Sequence, residues 1–307
     1  MMIWLLYDDP DYALNTGFAQ LMRERGRERG LDVRPVCLSE IKLGMDAQGQ
    51  AVCWRDGKAQ RPQAVFSRQR DALVSRHFEA MGVPVFNNAR VCRLCNDKRL
   101  TLQFLHGLPM PRTVFIHPYS PPPSAFPVVV KPATSHGGDR VTLVRNAREW
   151  RAAIDAIAPL PALEQELAGC PGRDLRVYVV HGRLVAGVMR TAREGIVSNF
   201  KRGGQVALHA LTQEERALAQ AVVERFAKAG APLTLAGVDL LYGADGPMVG
   251  EVEDVVGSRM LYQTSDIDIV SLFLDGVGDA FDAGDSTGGA GCDTLMLPGN
   301  EAGRRRF

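Results

Sequence analysis

The 307-residue chain carries few of the features that would assign its class at a glance. Lysine and arginine number 36 against 35 acidic residues, a net charge of +1, so the total gives neither a nucleic-acid footprint nor a membrane-binding patch. No apolar run approaches the roughly 20 residues of a membrane span. The start, MMIWLLYDDPDY, is apolar for only a few residues and then acidic, unlike a secretory signal, and reads as a first buried strand of a cytoplasmic protein. Of the six cysteines, at 37, 53, 92, 95, 170 and 292, only Cys92 and Cys95 have a suggestive spacing. A zinc site needs a second pair or histidines at matching intervals, and these are missing; on a helix the two thiols simply share a face. No G-x-G-x-x-G follows the first strand and no G-x-x-x-x-G-K-[ST] occurs anywhere, so neither a dinucleotide fingerprint nor a Walker A loop is present.

What remains is ordinary soluble composition, 46% hydrophobic and 23% charged, in a chain long enough for two or three compact units. Residues 2 to 88 pattern as a small α/β unit, with strand Ile3 to Tyr7, a helix from Asn15 to Arg29 closed by Gly30, and strand Asp32 to Leu38. Lys42 to Arg61 reads as irregular, with turn signals at Asp46 to Gly49 and Asp56 to Gly57. One helix is expected from Ala89 to Gly107, carrying Lys98 beside Asp97, and by local pattern alone Lys98 is a solvated charge. A proline-rich loop, YSPPPSAFP, then leads into VVVKPATSHGGDRV, a lysine at the end of an apolar strand followed by a glycine turn. Such a turn lets backbone N–H groups approach a ligand, and Lys131 adds a point charge, so the segment can cradle phosphates or be merely a hairpin. The strand DLRVYVV alternates a polar face (Asp174, Arg176, Tyr178) with an apolar one, and basic residues gather at Arg190, Lys201 and Arg202. A capping box, Thr212 to Glu215, opens the next helix. Beyond Gly278 the composition turns to Gly, Asp, Ser and Thr, the pattern of a flexible tail; the G-x-S-x-G at Gly284 to Gly288 is expected to have no strand before it and no helix after it.

The segment AGVDLLYGADGPMVGEVED, Ala236 to Asp254, is the organising stretch. It reads as two strands joined by a tight turn, and if Tyr242 faces Met248, Asp239 lies across from Glu251. Glu253 shares that face, about 7 Å farther along the strand. Like charges so crowded suit a hard cation held by oxygen ligands, magnesium carrying nucleotide phosphates above all; the alternative is the solvated face of an edge hairpin.

Six segments in this order resemble the ATP-grasp superfamily, and most closely the RimK-like carboxylate–amine ligases: NDK at Asn96 to Lys98, VVVKP with SHGGDRV, EQEL followed by GRDLRVYVV, SNFKRGG, AGVDLL and EVE. The resemblance runs from about residue 85 to 278. It implies an α/β (α+β) ATP-grasp fold, with nucleotide held between two mixed or antiparallel sheets and an N-terminal pre-ATP-grasp domain over residues 1–88. A central subdomain over 89–165 would carry the lid loop, a C-terminal subdomain over 166–278 the metal site, and 279–307 would be a disordered tail. By the same resemblance Lys98 and Lys131 contact nucleotide phosphates, and Ser135, His136, Gly137 and Gly138 with Asp139 form the lid. Glu166 and Leu167 lie where the backbone reads adenine, and Asp174 contacts the ribose. Arg190, Asn199 and Arg202 face the γ-phosphate and the acyl intermediate. Asp239, Glu251 and Glu253 hold one or two Mg2+ ions, with Mn2+ as the alternative. The family usually reads E-x-N where this chain has Glu251-Val252-Glu253, and the added charge calls for a basic neighbour, for which Arg259 is the candidate. The following loop, DVVGSRMLYQ, also departs from the family's small-residue and proline turn.

The activity this implies is ATP-dependent joining of a carboxylate to an amine through an acyl phosphate, with release of ADP and phosphate. Addition of glutamate or another amino acid to a small molecule, peptide or protein is the family expectation. Its partners are then a carboxylate substrate and an amine acceptor, without nucleic acid or membrane, and a homo-oligomer is compatible. His136 and Glu194 are candidates for the base. The competing class is a protein of the same fold that binds ATP without turnover. A two-domain periplasmic-type binding protein would leave the lysines and carboxylates unexplained.

Overall fold

The structure, a computed structural model, describes residues 1–193, 195 and 204–285, with side chains to residue 278. Asn199, Lys201 and Arg202, the candidate base Glu194, and the expected tail and Gly284 to Gly288 motif beyond Asp285 lie outside the described residues; the first residues assigned to that tail, 279–285, are instead the end of a helix running Ile269–Asp285.

The chain opens with β1 (Met2–Tyr7), α1 (Asp9–Leu14), α2 (Thr16–Arg27) and β2 (Asp32–Cys37). A meander of β3 (Lys42–Met45), β4 (Ala51–Arg55) and β5 (Lys58–Gln60) precedes β6 (Ala64–Ser67), α3 (Ala72–Ala80) and β7 (Val85–Phe86). The parallel order β2-β1-β6-β7 is that of an α/β unit. The meander corrects the irregular reading of Lys42 to Arg61: both turn signals hold, with glycines at positive φ (Gly49 +76°, Gly57 +73°), but the short segments between them pair as strands.

The single helix expected from Ala89 is two, α4 (Ala89–Cys95) and α5 (Lys98–Phe104). The Asp97 carboxylate caps the second by accepting from the Arg99 amide at 2.9 Å. An antiparallel sheet of order β10-β9-β11-β8 follows, from β8 (Thr113–Ile116), β9 (Val128–Pro132), β10 (Thr142–Val144) and β11 (Ala162–Glu166). Helix α6 (Ala147–Ile157) packs Trp150, Ile154 and Ile157 onto it as a small separate core.

The largest sheet has the order β14-β13-β12-β15-β16, all antiparallel, built from β12 (Arg173–Val180), β13 (Arg183–Thr191), β14 (Gln205–His209), β15 (Leu235–Gly243) and β16 (Gly246–Glu253). Between β14 and β15, α7 (Gln213–Lys228) opens with the expected capping box and buries Leu218, Val222 and Phe226 against one sheet face. The chain continues through α8 (Arg259–Thr264), where the sequence gives no helix signal, and α9 (Ile269–Asp285). Tyr178, Val180 and Val188 on the other face share one core with Ile3, Leu5 and Phe66 of the first sheet and Phe273 of α9. That shared core fixes the N-terminal unit against this face of the large sheet. No helix among the described residues is long and apolar enough to cross a membrane.

Candidate active site

Strand alternation alone does not place the carboxylates; a bulge does. At the hairpin end Leu241, not Tyr242, faces Met248, and Tyr242 faces Pro247, one residue off the expected register. The register shifts between Asp239 and Leu240, where Gly250 is the extra residue, and Asp239 is thereby returned opposite Glu251, with Glu253 opposite Gly237. Without that shift the β16 carboxylates would turn to the other face of the sheet. A side chain at Gly250 would put its Cβ 2.9 Å from Leu241 Cγ and 3.2 Å from the Asp239 carbonyl, so the bulge has no room for a β-carbon.

Each carboxylate is held by a basic side chain. Arg176, opposite Asp239 in the β12–β15 register, donates to it from Nε at 2.8 Å and Nη2 at 2.7 Å, while its Nη1 reaches Glu253 at 2.9 Å. Arg190 donates to Asp239 from Nη2 at 2.6 Å and pairs with Asp174, its cross-strand neighbour. Asp239 is only 6% exposed; burial works against its charge, but the two guanidinium groups outweigh it and bring the carboxyl down to about 2. Glu251 pairs with Lys98 at 3.1 Å. The neighbour of Glu253 is therefore Arg176, not the expected Arg259.

The break between α4 and α5 buries Lys98, which is 6% exposed and not the solvated charge of the local pattern. Its amide donates to the Ala133 carbonyl at 2.9 Å and its ammonium to the Ser135 carbonyl, joining the helix start to the glycine loop. Lys131, at the end of β9, has a neutral partner, Gln165 Oε1 at 2.9 Å. Burial pushes its pKa down to about 8, with Glu251 opposing and Lys98 adding to the fall. In the loop, Gly137 and Gly138 sit at φ +65° and +73°, backbone that a β-carbon disfavours. His136 is lowered by burial and then by Arg70. Glu166 closes the edge of β11, its carboxylate accepting from the Arg112 amide at 2.8 Å and its own amide donating to the Arg112 carbonyl at 3.0 Å.

One cavity of about 710 Å³ receives all of these groups. Lys98, Lys131, Ser135, His136, Gly137, Gly138, Glu166, Leu167, Asp174, Arg190, Asp239, Glu251 and Glu253 all line it, whereas Asp139, the last residue of the expected lid, does not. The donor set is all oxygen, as a hard cation requires. As the side chains stand, though, no three metal-binding groups among the described residues converge, because Arg176 occupies the space between Asp239 and Glu253. Arg176 is the main group the sequence reading passed over; its place on the polar face of DLRVYVV, beside Asp174, was the available signal. Asn96 was also missed as a site residue: its amide donates to both oxygens of the buried Asp254, at 2.9 and 3.1 Å, locking the NDK turn to the end of β16. Cys92 and Cys95 are buried free thiols raised by burial, which favours the shared-face reading over a reactive one.

Residues 107–277 match the sequence profile of the RimK-like ATP-grasp domain. A probable alpha-L-glutamate ligase of Parasynechococcus marenigrum is 28% identical over 295 residues, covering 89% of this chain and 61% of that protein. One of the same description from Shewanella pealeana is 25% identical, covering 90% of this chain and 63% of the relative. The chain thus spans a little over three fifths of the length of these relatives. Among solved structures, D-alanine–D-alanine ligase from Bacillus anthracis complexed with ATP superposes with a TM-score of 0.67 at 15% identity, over 94% of this chain and all of that one. D-cycloserine synthetase gives 0.66 at 19% identity, over 91% and 99%. These likenesses show the ATP-grasp ligase fold.

Proposed function

The chain belongs to the RimK-like ATP-grasp family, and from that membership we propose that it is an ATP-dependent ligase joining a carboxylate to an amine through an acyl phosphate. The observation that carries this reading is the convergence of buried lysines, a glycine loop and paired carboxylates on one cavity between two antiparallel sheets. With it goes the division into an N-terminal unit to residue 88, ATP-grasp halves over 89–165 and 166–278, and a tail.

A carboxylate resists amines because its oxygen leaves poorly; phosphorylation by ATP converts that oxygen into phosphate, which an amine displaces to give the amide. The protein's share is alignment and charge neutralisation. Lys98 and Lys131 would take the phosphates, Lys131 remaining mostly protonated near neutral pH because its pKa stays at about 8. Glu166 and Leu167 would receive the adenine and Asp174 the ribose, and Arg190 with Asn199 and Arg202 would face the transferring group. The loop of Ser135 to Gly138 would keep water from the acyl phosphate. Asp239, Glu251 and Glu253 would hold Mg2+, which would supply positive charge against the phosphates. Arg176 and Lys98 compensate the same carboxylates in its absence. By analogy with the glutamate ligases it resembles, an amino acid is the first substrate to try.

The test incubates the protein with Mg-ATP and panels of acids and amines, following ADP, phosphate and the mass of the product. A product heavier than the acid by the amine less water is the expected result. ATP binding without turnover on any pair would replace the ligase with a nucleotide-binding role.

A further inference from the structure

The N-terminal end of the cavity holds a cation that this mechanism does not use. Arg68 follows β6, is 2% exposed and lines the cavity. Its Nη1 donates to the Val256 carbonyl at 3.0 Å, but its buried Nε has no hydrogen-bond partner. No carboxylate among the described residues forms an ion pair with it. The other buried arginines lining the cavity, Arg176 and Arg190, are matched as described, and the neighbouring Arg70 pairs with Asp11, whereas Arg173 and Arg259 are exposed. Beside Arg68 the hydroxyl of Tyr7 is likewise buried without a hydrogen-bond partner. Stacking on Phe18, 4.7 Å from the ring centroid, and more loosely on Phe66 at 5.8 Å, offsets part of the burial of charge but leaves Nε without a hydrogen-bond acceptor. Burial accordingly lowers its pKa. A buried guanidinium with an unpartnered N–H and no counter-charge is costly unless an anion comes to it, and a planar guanidinium matches a carboxylate.

The proposed reading assigns the reacting groups to other residues. Phosphates and the acid being activated belong with Lys98, Lys131 and Arg190 in the proposed reading, whereas Arg68 comes from the first sheet and meets the turn after β16 through Val256. Apolar Phe18 and Leu21 with polar Asn15 and Ser258 complete this end of the wall. We propose that it is a subsite for a spectator carboxylate, one carried by a substrate but not consumed, and that Arg68 binds it. The inference rests on the ligase reading for the word substrate, not for the site itself.

Calorimetry on the full chain tests it, with L-glutamate, L-alanine and glutarate as probes, each compared with its amides, in the presence of a non-hydrolysable Mg-ATP analogue. Wild type is expected to bind at least one acid about 10- to 100-fold more tightly than the amide that removes the recognised carboxylate. Arg68→Met should lose that factor for the acid and no longer distinguish it from the amide, while binding the ATP analogue like wild type. Arg68→Lys, which keeps the charge without the fork, should fall between and carries the test should the Met variant not fold. Discrimination by glutarate amidation assigns the carboxylate to the acid substrate; discrimination seen only with the α-amides of the amino acids assigns it to the amine. Undiminished discrimination in the Arg68 variants, or none in wild type for any probe, overturns the subsite. Loss of ATP binding in wild type with Arg68-dependent discrimination intact would instead remove the ligase reading and leave the subsite standing.

Discussion

The wall of the cavity formed by β12 to β16 and the smaller wall formed by β8 to β11 both hold charge away from water, and they do so differently. On the large sheet every buried charge has an opposite beside it: Arg176 and Arg190 bracket Asp239, and their remaining nitrogens reach Glu253 and Asp174. On the small sheet Lys131 has only the amide oxygen of Gln165. The first arrangement is complete without a ligand and fixes side-chain positions in advance. The second leaves a desolvated ammonium whose natural complement is an incoming anion. Preorganisation and unsatisfied attraction are thus assigned to opposite walls of one site.

The comparison breaks most visibly at Arg176. Arg176→Met should leave Asp239 and Glu253 under-compensated and lower unfolding free energy in urea by about 3–5 kcal/mol; a loss under 1 kcal/mol would mean the network is not holding the wall. Lys131→Met should do the reverse of destabilise, since it removes a buried charge, yet slow turnover by about 100-fold. The pH dependence sharpens the contrast. Asp239 sits below its unfolded value, so its contribution to stability is full above pH about 4 and is lost as pH falls through about 2. Lys131 also sits below its unfolded value of 10.5, so the unfolded chain binds the extra proton and stability rises as pH climbs from about 8 to 10.5. Urea titrations across that alkaline window should show the rise in wild type and not in Lys131→Met. ATP affinity should fall over the same range as the ammonium is lost.

Gly250→Ala tests whether the bulge positions the large wall. The Cβ clash with Leu241 is expected to cost about 1–3 kcal/mol, and turnover should fall by more than stability if the carboxylates move. The smallest effect is expected from Glu253→Gln, which keeps an oxygen ligand but breaks the ion pair to Arg176. Nucleotide binding should persist while the midpoint of a magnesium titration shifts by roughly tenfold; an unmoved titration would argue that Glu253 is not a ligand.

Local pattern made much of this legible. Alternation in AGVDLL and VGEVE, the glycine turn and the lysine ending an apolar strand are short-range signals, and the hairpin and both sheets of the site follow from them. What escaped was set by tertiary structure. The helical pattern across NDK gives no hint of a break, because the break is stabilised by the Asp97 cap and by Asn96 reaching Asp254 far along the chain. Asp239 was placed opposite Glu251 from a turn register that is one residue off, and the bulge at Gly250 compensates for it. Arg68 lies outside the resembling segments, and only the folded chain shows that its buried Nε is left without a partner.

Lys98 grips two things at once, the carbonyl of Ser135 in the glycine loop and the carboxylate of Glu251. An anion that draws this ammonium toward itself slackens both tethers in one movement. The loop over the cavity and the acidic hairpin beneath it are in this way geared to a single side chain.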